Sequence, residues 1–282
     1  ESMPGCHPHM AEPAEAANDE CSRQDACDFI RNVGMDLDLP TTCVCHALAL
    51  WHAFRAAPSR TSFQVKSPIL DKPNEGGKVI EEWQIECGAC VLVSIKTQEV
   101  SRKVRDVVNI VHACSSSPET EPLRVGTEFW TLRDRVVAGE QSVLRALGFS
   151  VRPELPFPYL LNYLQALPAP RPLARLAFAL LHESFDLPLL NRFTPHQVAA
   201  GCIHVSALML EESLPSVSRA VNGGEEVASN GSGGSGGSSK VTAWYDVVCV
   251  DAVTLDAVSS ELVGLVERLA SPPAAAVNGG EE

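Results

Sequence analysis

The sequence predicts an all-α protein built from two consecutive sets of five helices. Apolar residues recur along most of the chain at helical spacing, and residues that favour helix starts and ends separate the apolar stretches. No stretch shows the sustained alternation of apolar and polar residues that marks a half-buried strand. The two sets follow each other in the chain, which indicates two tandem domains, each with a central buried helix.

The first set of helices follows an acidic, proline-containing start. Pro40 and Thr41 fit a helix start, and Ser101 is a candidate N-cap. Gly34 and Gly148 stand near predicted C-terminal ends, where glycine is the favoured terminator. The five helices are expected at 22–34, 41–57, 82–96, 101–113 and 126–148.

The second set shows the same kind of punctuation. Thr194 followed by Pro195 places an N-cap and a first-turn proline in the preferred order. The five helices of this set are expected at 157–167, 171–184, 194–211, 242–250 and 254–270.

These helices divide the chain into two predicted domains. The first domain is expected at 21–152 and the second at 153–270. Residues 1–20 are rich in Ala, Glu and Pro without periodicity, and the tail at 271–282 is also polar, so both ends are predicted to be disordered.

Each predicted domain carries one insertion. Residues 58–81 contain several prolines and a glycine pair, which predicts a loop. Residues 212–240 contain NGSGGSGGSS, which is the composition of a flexible linker and lacks the Lys and Ser/Thr ending of a phosphate-binding loop. The heptapeptide AVNGGEE occurs at 220–226 and again at 276–282, and no function is assigned to this repeat.

The overall charge disfavours two classes of partner. The chain carries 22 basic and 35 acidic residues, a net charge of −13, so broad attraction to nucleic acid or to an anionic membrane is not expected. No apolar run approaches the roughly 20 residues that a bilayer span needs. The first residues lack the basic and apolar segments of a secretory signal, so we expect an intracellular protein.

The cysteines raise the question of a metal site. Cys87 and Cys90 form a Cys-x-x-Cys pair, and Cys43, Cys45 and His46 lie close together in sequence, as ligands of a structural zinc site would. Both groups fall inside helical runs, whereas paired zinc ligands sit on tight turns. Buried, reduced cysteines are therefore the favoured interpretation, and no metal or cofactor is expected.

The sequence gives no sign of an enzyme. It contains neither a nucleophile elbow nor a His-Glu-x-x-His motif. The histidines His112, His182 and His204 are isolated on predicted helices, which fits packing or surface positions better than catalytic bases. We expect no catalytic residue in the chain.

Two charged residues stand out against this apolar background. The third predicted helix is apolar on all sides and ends in VLVSIKTQEV, so Lys96 and Glu99 follow a buried segment. At 100° per residue, Glu140 falls on the core-facing stripe of the fifth helix. A carboxylate there needs a partner, and Lys96 or an arginine of the same domain can supply one. This pair has two interpretations: a purely structural salt bridge, or a polar rim that faces a partner.

Three consecutive stretches carry a family resemblance. SIKTQEV, then RKVRDVVNIVHAC, then FWTLRDRVVAGEQSVLRALGFSV are similar to the first cyclin box, in which Lys-x-x-Glu ends the third helix and Glu precedes Leu-x-x-Leu-x-Phe in the fifth. The resemblance is to the transcription-type cyclins, in particular cyclin Q, with cyclins L, K, T and C as relatives. The later helices resemble the second cyclin box, so the fold class implied is two tandem five-helix cyclin-box domains.

The resemblance implies a function and a set of site residues. A cyclin has no catalytic activity; it binds a cyclin-dependent protein kinase, forming a heterodimer, and holds the kinase αC helix in its active position. The transcription-related group of kinases and a nuclear location are implied. Thr97 stands where the family usually places a larger apolar residue. The kinase-binding residues implied are Lys96, Thr97, Glu99, Glu140, Leu144, Phe149 and Val151.

Two alternatives remain open at the level of sequence. One is a scaffold or nucleic-acid-binding module with the same double fold, as in TFIIB-type initiation factors, although the acidic charge argues against it. The other is a cyclin-box protein that binds a kinase without activating it.

Overall fold

The computed structural model describes residues 13–58, 80–116, 123–167, 169–214, 217–218, 241–242 and 244–271. Within these ranges the chain forms ten α-helices, one 3₁₀ turn and one pair of two-residue strands. The helices are α1 Pro13–Asp36, α2 Thr41–Ala56, α3 Glu82–Thr97, α4 Val104–Ser115, α5 Thr127–Ala146, α6 Phe157–Ala166, α7 Arg171–Ser184, α8 Pro195–Met209, α9 Trp244–Val247 and α10 Ala252–Ala270.

The strands are too short to change the fold class. The strand β1 at Val217–Ser218 pairs antiparallel with β2 at Val241–Thr242. Two residues cannot show the alternation on which a sequence-based strand prediction rests. The all-α prediction with two sets of five helices is confirmed. In the part of the chain that the structure describes, no helix is both long and apolar enough to cross a membrane.

Contacts divide the chain into two compact units. The first unit comprises Glu1–Pro153 together with Phe185–Asn191, and the second comprises Glu154–Ser184 together with Arg192–Glu282. The sequence-based domains did not separate Phe185–Asn191 from the second domain. This short segment belongs to the first unit because its polar groups bond to the side chains of α1 and α2.

The helix α3 is the centre of the first unit, and it packs against α1, α2, α4 and α5. Every residue from Gln84 to Ile95 is buried, as the apolar sequence of this helix predicts. Gly88 permits the close approach of α4, because a Cβ there would lie 2.7 Å from Cγ2 of Val111. The packing gained at this contact explains a glycine in mid-helix, where it lowers intrinsic helix stability.

The helix α8 has the same place in the second unit, packed against α6, α7 and α10. Its residues from Val198 to Ile203 are all buried. A Cβ at Gly201 would lie 2.4 Å from Cγ1 of Val258, so this glycine sets the distance between α8 and α10. Each unit therefore has one central helix, and a glycine on that helix allows a neighbouring helix to approach it closely.

The ends of α1 differ from the prediction. The helix begins at Pro13, inside the stretch predicted to be disordered, and continues past Gly34 to Asp36. Gly34 is a packing residue, since a Cβ there would lie 2.6 Å from Cγ2 of Val44. Asp38, with φ of 48°, takes the left-handed conformation that ends the helix. The glycine rule failed here because helix packing required the glycine one turn earlier.

The start of α4 also differs from the prediction, because Ser101 is not its N-cap. The helix begins at Val104. The guanidinium of Arg102 donates to the carbonyl oxygens of Leu37 and Asp38, and these bonds hold the preceding residues against the end of α1. The predictions for residues 1–12, the repeat AVNGGEE, the tail 272–282 and most of the two insertions fall outside the described residues.

Candidate partner-binding site

The last turn of α3 and the middle of α5 meet at an ion pair. The ammonium nitrogen of Lys96 lies 2.6 Å from Oε1 and 2.7 Å from Oε2 of Glu140. The Lys96 side chain is 51% exposed, whereas the Glu140 side chain is 11% exposed. The pair therefore lies at the edge of the core, with the carboxylate inside and the ammonium group at the surface.

The position of Glu140 follows from the sequence of α5. Its core-facing stripe contains the buried residues Phe129, Leu132, Val136 and Val143, and Glu140 lies among them as predicted. The neighbouring Gly139 allows α5 to approach α3, because a Cβ there would lie 3.0 Å from that of Ala89. The ammonium group of Lys96 on α3 offsets the free-energy cost of burying this carboxylate.

The end of α3 places Thr97 and Glu99 beside the ion pair. The Thr97 hydroxyl donates to the Val93 carbonyl oxygen at 2.8 Å, so its O–H is already used and the hydroxyl can only accept from a partner. Glu99 has φ of 55°, and the amide of Val100 bonds to the carbonyl of Ile95 at 2.9 Å. These are the features of a Schellman motif with a glutamate at the position usually held by glycine. Glu99 is exposed and its backbone turns the chain away from the helix axis.

The end of α5 presents an exposed aromatic side chain. The amide of Phe149 bonds to the carbonyl of Leu144 at 2.8 Å, and Gly148 precedes it with φ of 56°. Phe149 itself has φ of 62°, and 69% of the residue is exposed. A large apolar residue that is both solvated and in the left-handed region is unfavourable for the isolated chain. This combination is typical of residues kept for an interaction.

The segment after Phe149 is held by a histidine that sequence reasoning did not assign to this site. Nε2 of His46 lies 2.9 Å from the carbonyl oxygen of Val151 and donates to it, since a carbonyl only accepts. Nδ1 of His46 lies 2.9 Å from the Ser94 hydroxyl oxygen, which lies 2.7 Å from the Cys43 carbonyl oxygen and has one O–H to donate to either of them. Burial lowers the pKa of His46, and its bond to Val151 opposes that shift. A polar residue inside the apolar run of α2 was the only sequence signal of this role.

An open cavity lies at the C-terminal end of α3. It has a volume of about 340 Å³ and is lined by His46, Thr97, Gln98, Glu99, Arg152 and Pro153. The structure thus brings Lys96 and Glu140 into contact and places Thr97 and Glu99 on one cavity. Leu144 and Val151 are half-buried beside the exposed Phe149. That these residues bind a kinase stays a prediction.

The cysteines of the first unit lie in the core. Burial raises the pKa of the Cys87 thiol well above its ordinary value, and burial likewise raises that of Cys90. The thiol of Cys43 lies 3.2 Å from the Ser94 hydroxyl, and burial raises its pKa too. Among the residues that the structure describes, no group of three or more His, Cys, Asp and Glu side chains is placed to hold a metal ion.

Comparison with known proteins identifies relatives by sequence. Cyclin-L2 of Mus musculus is 27% identical over 213 residues, which cover 74% of this chain and 38% of the relative. Cyclin-L1 of Homo sapiens is 26% identical over 213 residues, which cover 74% of this chain and 37% of the relative. The chain therefore spans well under half the length of these curated relatives. No protein-family model matches the chain.

Comparison with solved structures supports the fold. A chain in the crystal structure of the yeast RNA Pol II CTD kinase CTDK-1 complex superposes with a TM-score of 0.61 at 13% sequence identity, covering 88% of this chain and 66% of that chain. With the L-type relatives, this likeness confirms the predicted cyclin fold. The particular resemblance to cyclin Q stays a prediction.

Proposed function

The chain is a homologue of the transcription-type cyclins, and on this premise we propose that it is the regulatory subunit of a cyclin-dependent protein kinase. It binds the kinase as a heterodimer and activates it, and it has no catalytic activity of its own. The kinase belongs to the transcription-related group, and the complex works in the nucleus. Neither nucleic acid nor a membrane is a direct partner, in keeping with the net charge of −13.

The ion pair of Lys96 and Glu140 is the observation that carries this proposal. An ammonium group has three donors, and the two oxygens of Glu140 take two of them, which leaves a third for a partner's carbonyl oxygen. The buried carboxylate fixes the position of the half-exposed ammonium group before binding. A side chain that is already ordered loses less conformational entropy when a partner binds.

The residues around the ion pair supply apolar contact. Phe149 is the anchor, because it is the most exposed of the apolar site residues, and Leu144 and Val151 flank it as half-buried residues. In interfaces of this kind, a few well-placed aromatic residues supply most of the affinity, while charged residues fix orientation. Lys96 and Glu140 accordingly orient the backbone at the start of the kinase αC helix, and Thr97 and Glu99 lie at the rim.

Activation follows as a shift between two states of the kinase. In the active state the αC glutamate pairs with the β3 lysine, which positions the nucleotide phosphates. A protein that binds the active state more tightly than the inactive state raises the population of the active state. The difference between the two affinities sets the limit of this shift. The preformed site on α3 and α5 provides that difference by fitting the inward position of αC.

The proposal is tested by reversing the ion pair. The chain is co-purified with candidate transcription-related kinases, and phosphorylation of a polymerase-tail peptide is measured with wild type and with the variant Lys96→Glu/Glu140→Ala. The second unit offers a matched control, because Arg192 and Glu261 also form an ion pair at the surface. The variant Arg192→Glu/Glu261→Ala is expected to capture and activate the kinase as wild type does, whereas the first variant loses both.

Three results would contradict the proposal. Equal capture and activation by the Lys96→Glu/Glu140→Ala variant shows that this site does not bind the kinase. Absence of kinase capture by folded wild type, together with a shift of DNA in a gel, replaces the proposal with the TFIIB-type alternative. Capture without any phosphorylation assigns the chain to cyclin-box proteins that bind a kinase without activating it.

A further inference from the structure

A second exposed apolar feature lies at the other end of α5. It is a pocket of about 180 Å³ lined by Val104, Arg105, Val125, Phe129, Trp130 and Arg133, here called the α4–α5 pocket. Trp130 is 51% exposed and Val125 is 68% exposed, although both are large apolar residues. A cavity of about 150 Å³ admits a benzene molecule, so the α4–α5 pocket has room for one large side chain.

The tryptophan of the pocket is held in a fixed orientation. Phe129 meets the ring of Trp130 edge-on, at 5.2 Å between centroids and an angle of 78°. The guanidinium carbon of Arg133 lies 5.6 Å from the centroid of the Trp130 ring. A rigid aromatic residue flanked by arginine loses little entropy on binding, and Trp and Arg are the residue types enriched at the energetic centres of interfaces.

The side chains that line the pocket are basic or apolar, although the chain as a whole is acidic. The pocket lining contains Arg105 and Arg133 and no acidic residue, whereas the chain has a net charge of −13. Arg105 lies 3.6 Å from Asp106, and Arg133 lies 3.0 Å from Asp134. Each guanidinium has five N–H donors, so one carboxylate leaves donors for a second. These surface ion pairs are weak, so each arginine can exchange its aspartate for a carboxylate of a binding partner.

We propose that the α4–α5 pocket docks an acidic peptide segment of a second partner protein. One large apolar side chain of the segment fills the pocket against Trp130, and carboxylates on either side of it bond to Arg105 and Arg133. Charge complementarity selects this occupant, because the two arginines of the lining attract carboxylates while the apolar walls accept one apolar side chain.

The α4–α5 pocket is separate from the proposed kinase site. Trp130 and Leu144 are both on α5, and at 1.5 Å per residue they lie about 21 Å apart along the helix. This distance leaves room for a short peptide at one end of α5 while the kinase occupies the other. The inference does not depend on the proposed function, since it uses none of the kinase-site residues.

The test uses the full chain and a defined probe. The probe is a fluorescein-labelled peptide with one phenylalanine between two Asp-Glu-Asp runs, titrated with the chain and followed by anisotropy at low and high salt. Two comparison peptides replace the phenylalanine by alanine or the acids by lysine. The variants are Trp130→Ala and Arg105→Glu/Arg133→Glu, with Arg145→Glu and Phe149→Ala as controls outside the pocket.

The acidic phenylalanine peptide is expected to bind wild type and both control variants equally, more weakly at high salt. Trp130→Ala and Arg105→Glu/Arg133→Glu each weaken binding at least about tenfold, and so does either change in the peptide. Circular dichroism establishes that each variant is folded, and the charge reversal serves as the test if Trp130→Ala unfolds.

Three results would overturn the inference. They are no binding at millimolar chain, binding that the charge reversal leaves unchanged, and binding that Phe149→Ala abolishes instead. None of these readouts involves the kinase, so failure here and failure of the proposed function are distinguishable.

Discussion

Both carboxylate oxygens of Glu140 receive the ammonium group of Lys96, at 2.6 and 2.7 Å, across the contact between α5 and α3. The two partners are unequal, because the acid is buried and the base is half exposed. Removing the base therefore leaves a mostly buried carboxylate without its cation, whereas removing both leaves an apolar contact. This asymmetry makes the ion pair testable by stability alone.

Lys96→Ala is expected to lower the free energy of unfolding by about 1–3 kcal/mol, because it leaves Glu140 buried without its cation. The double variant Lys96→Ala/Glu140→Leu is expected to lose less, since no charge remains in the core. Urea unfolding measures both. Arg192→Ala, which breaks an exposed pair, is the control and costs under about 1 kcal/mol. A double variant less stable than Lys96→Ala alone would contradict this account.

Replacement of Phe149 separates stability from binding. Phe149→Gly relieves the left-handed backbone and is expected to raise the free energy of unfolding by about 1 kcal/mol. Phe149→Ala keeps the strained backbone and gives no such gain. Both variants lose the anchor and are expected to bind the kinase about 30-fold more weakly, or about 2 kcal/mol. Equal kinase affinity for wild type and both variants excludes Phe149 from the interface.

Two glycines of the second unit should respond in opposite directions to alanine. Gly201→Ala places a Cβ 2.4 Å from Val258 and is expected to cost about 1–3 kcal/mol of stability. Gly264→Ala, on α10, meets nothing within 4 Å and is expected to stabilise by about 0.5–1 kcal/mol through helix propensity. Thermal unfolding compares them. Shortening the neighbour in Gly201→Ala/Val258→Ala should restore part of the loss, and no restoration would contradict the packing argument.

Stability is expected to fall as the pH drops from about 6.5 to about 4. Burial lowers the pKa of His52 to about 4, against the opposing effect of its bond to the Phe185 carbonyl. Between these values the unfolded chain binds a proton on His52 and the folded chain does not, so acid favours unfolding. The contribution reaches about 3 kcal/mol at the lower end. This figure is the stability lost at pH 4, and none of it is lost above pH 6.5.

His52→Gln is the control for this pH dependence. Urea unfolding at several pH values measures the free energy of unfolding of wild type and variant. Subtracting one from the other cancels the contribution of the carboxylates, which both proteins share. The difference in free energy of unfolding between wild type and His52→Gln should become smaller from pH 6.5 to pH 4. A constant difference over that range would show that another group carries the pH dependence.

The features predicted correctly from the sequence are those that depend on short stretches of the chain. The burial of α3 follows from a run that is apolar on every side, and the inward position of Glu140 follows from its register on α5. Lys96 was one of the partners expected for Glu140, beside an arginine of the same domain, because it ends the helix predicted at the centre of that domain. Local periodicity contains this information.

The features missed depend on residues far apart in the sequence. The bond from His46 to Val151 joins residues separated by 105 positions, so a polar residue in the apolar run of α2 does not reveal its partner. Gly34 resembles a helix terminator in the sequence. In the structure the side chain of Val44 occupies the space that a side chain at Gly34 would need. The pocket around Trp130 escaped notice for the same reason, since α4 and α5 each contribute part of its wall.

The segment Phe185–Asn191 has a consequence for the order in which the chain folds as it is synthesised. It supplies the carbonyl that accepts from His52 and the carboxylate of Asp186, which receives Arg31 at 2.7 Å. A ribosome releases this segment only after α6 and α7. Until that point His52 and Arg31 lack these partners, so the first unit cannot complete its core. A pause in translation before this segment would therefore prolong the time during which the first unit is incomplete.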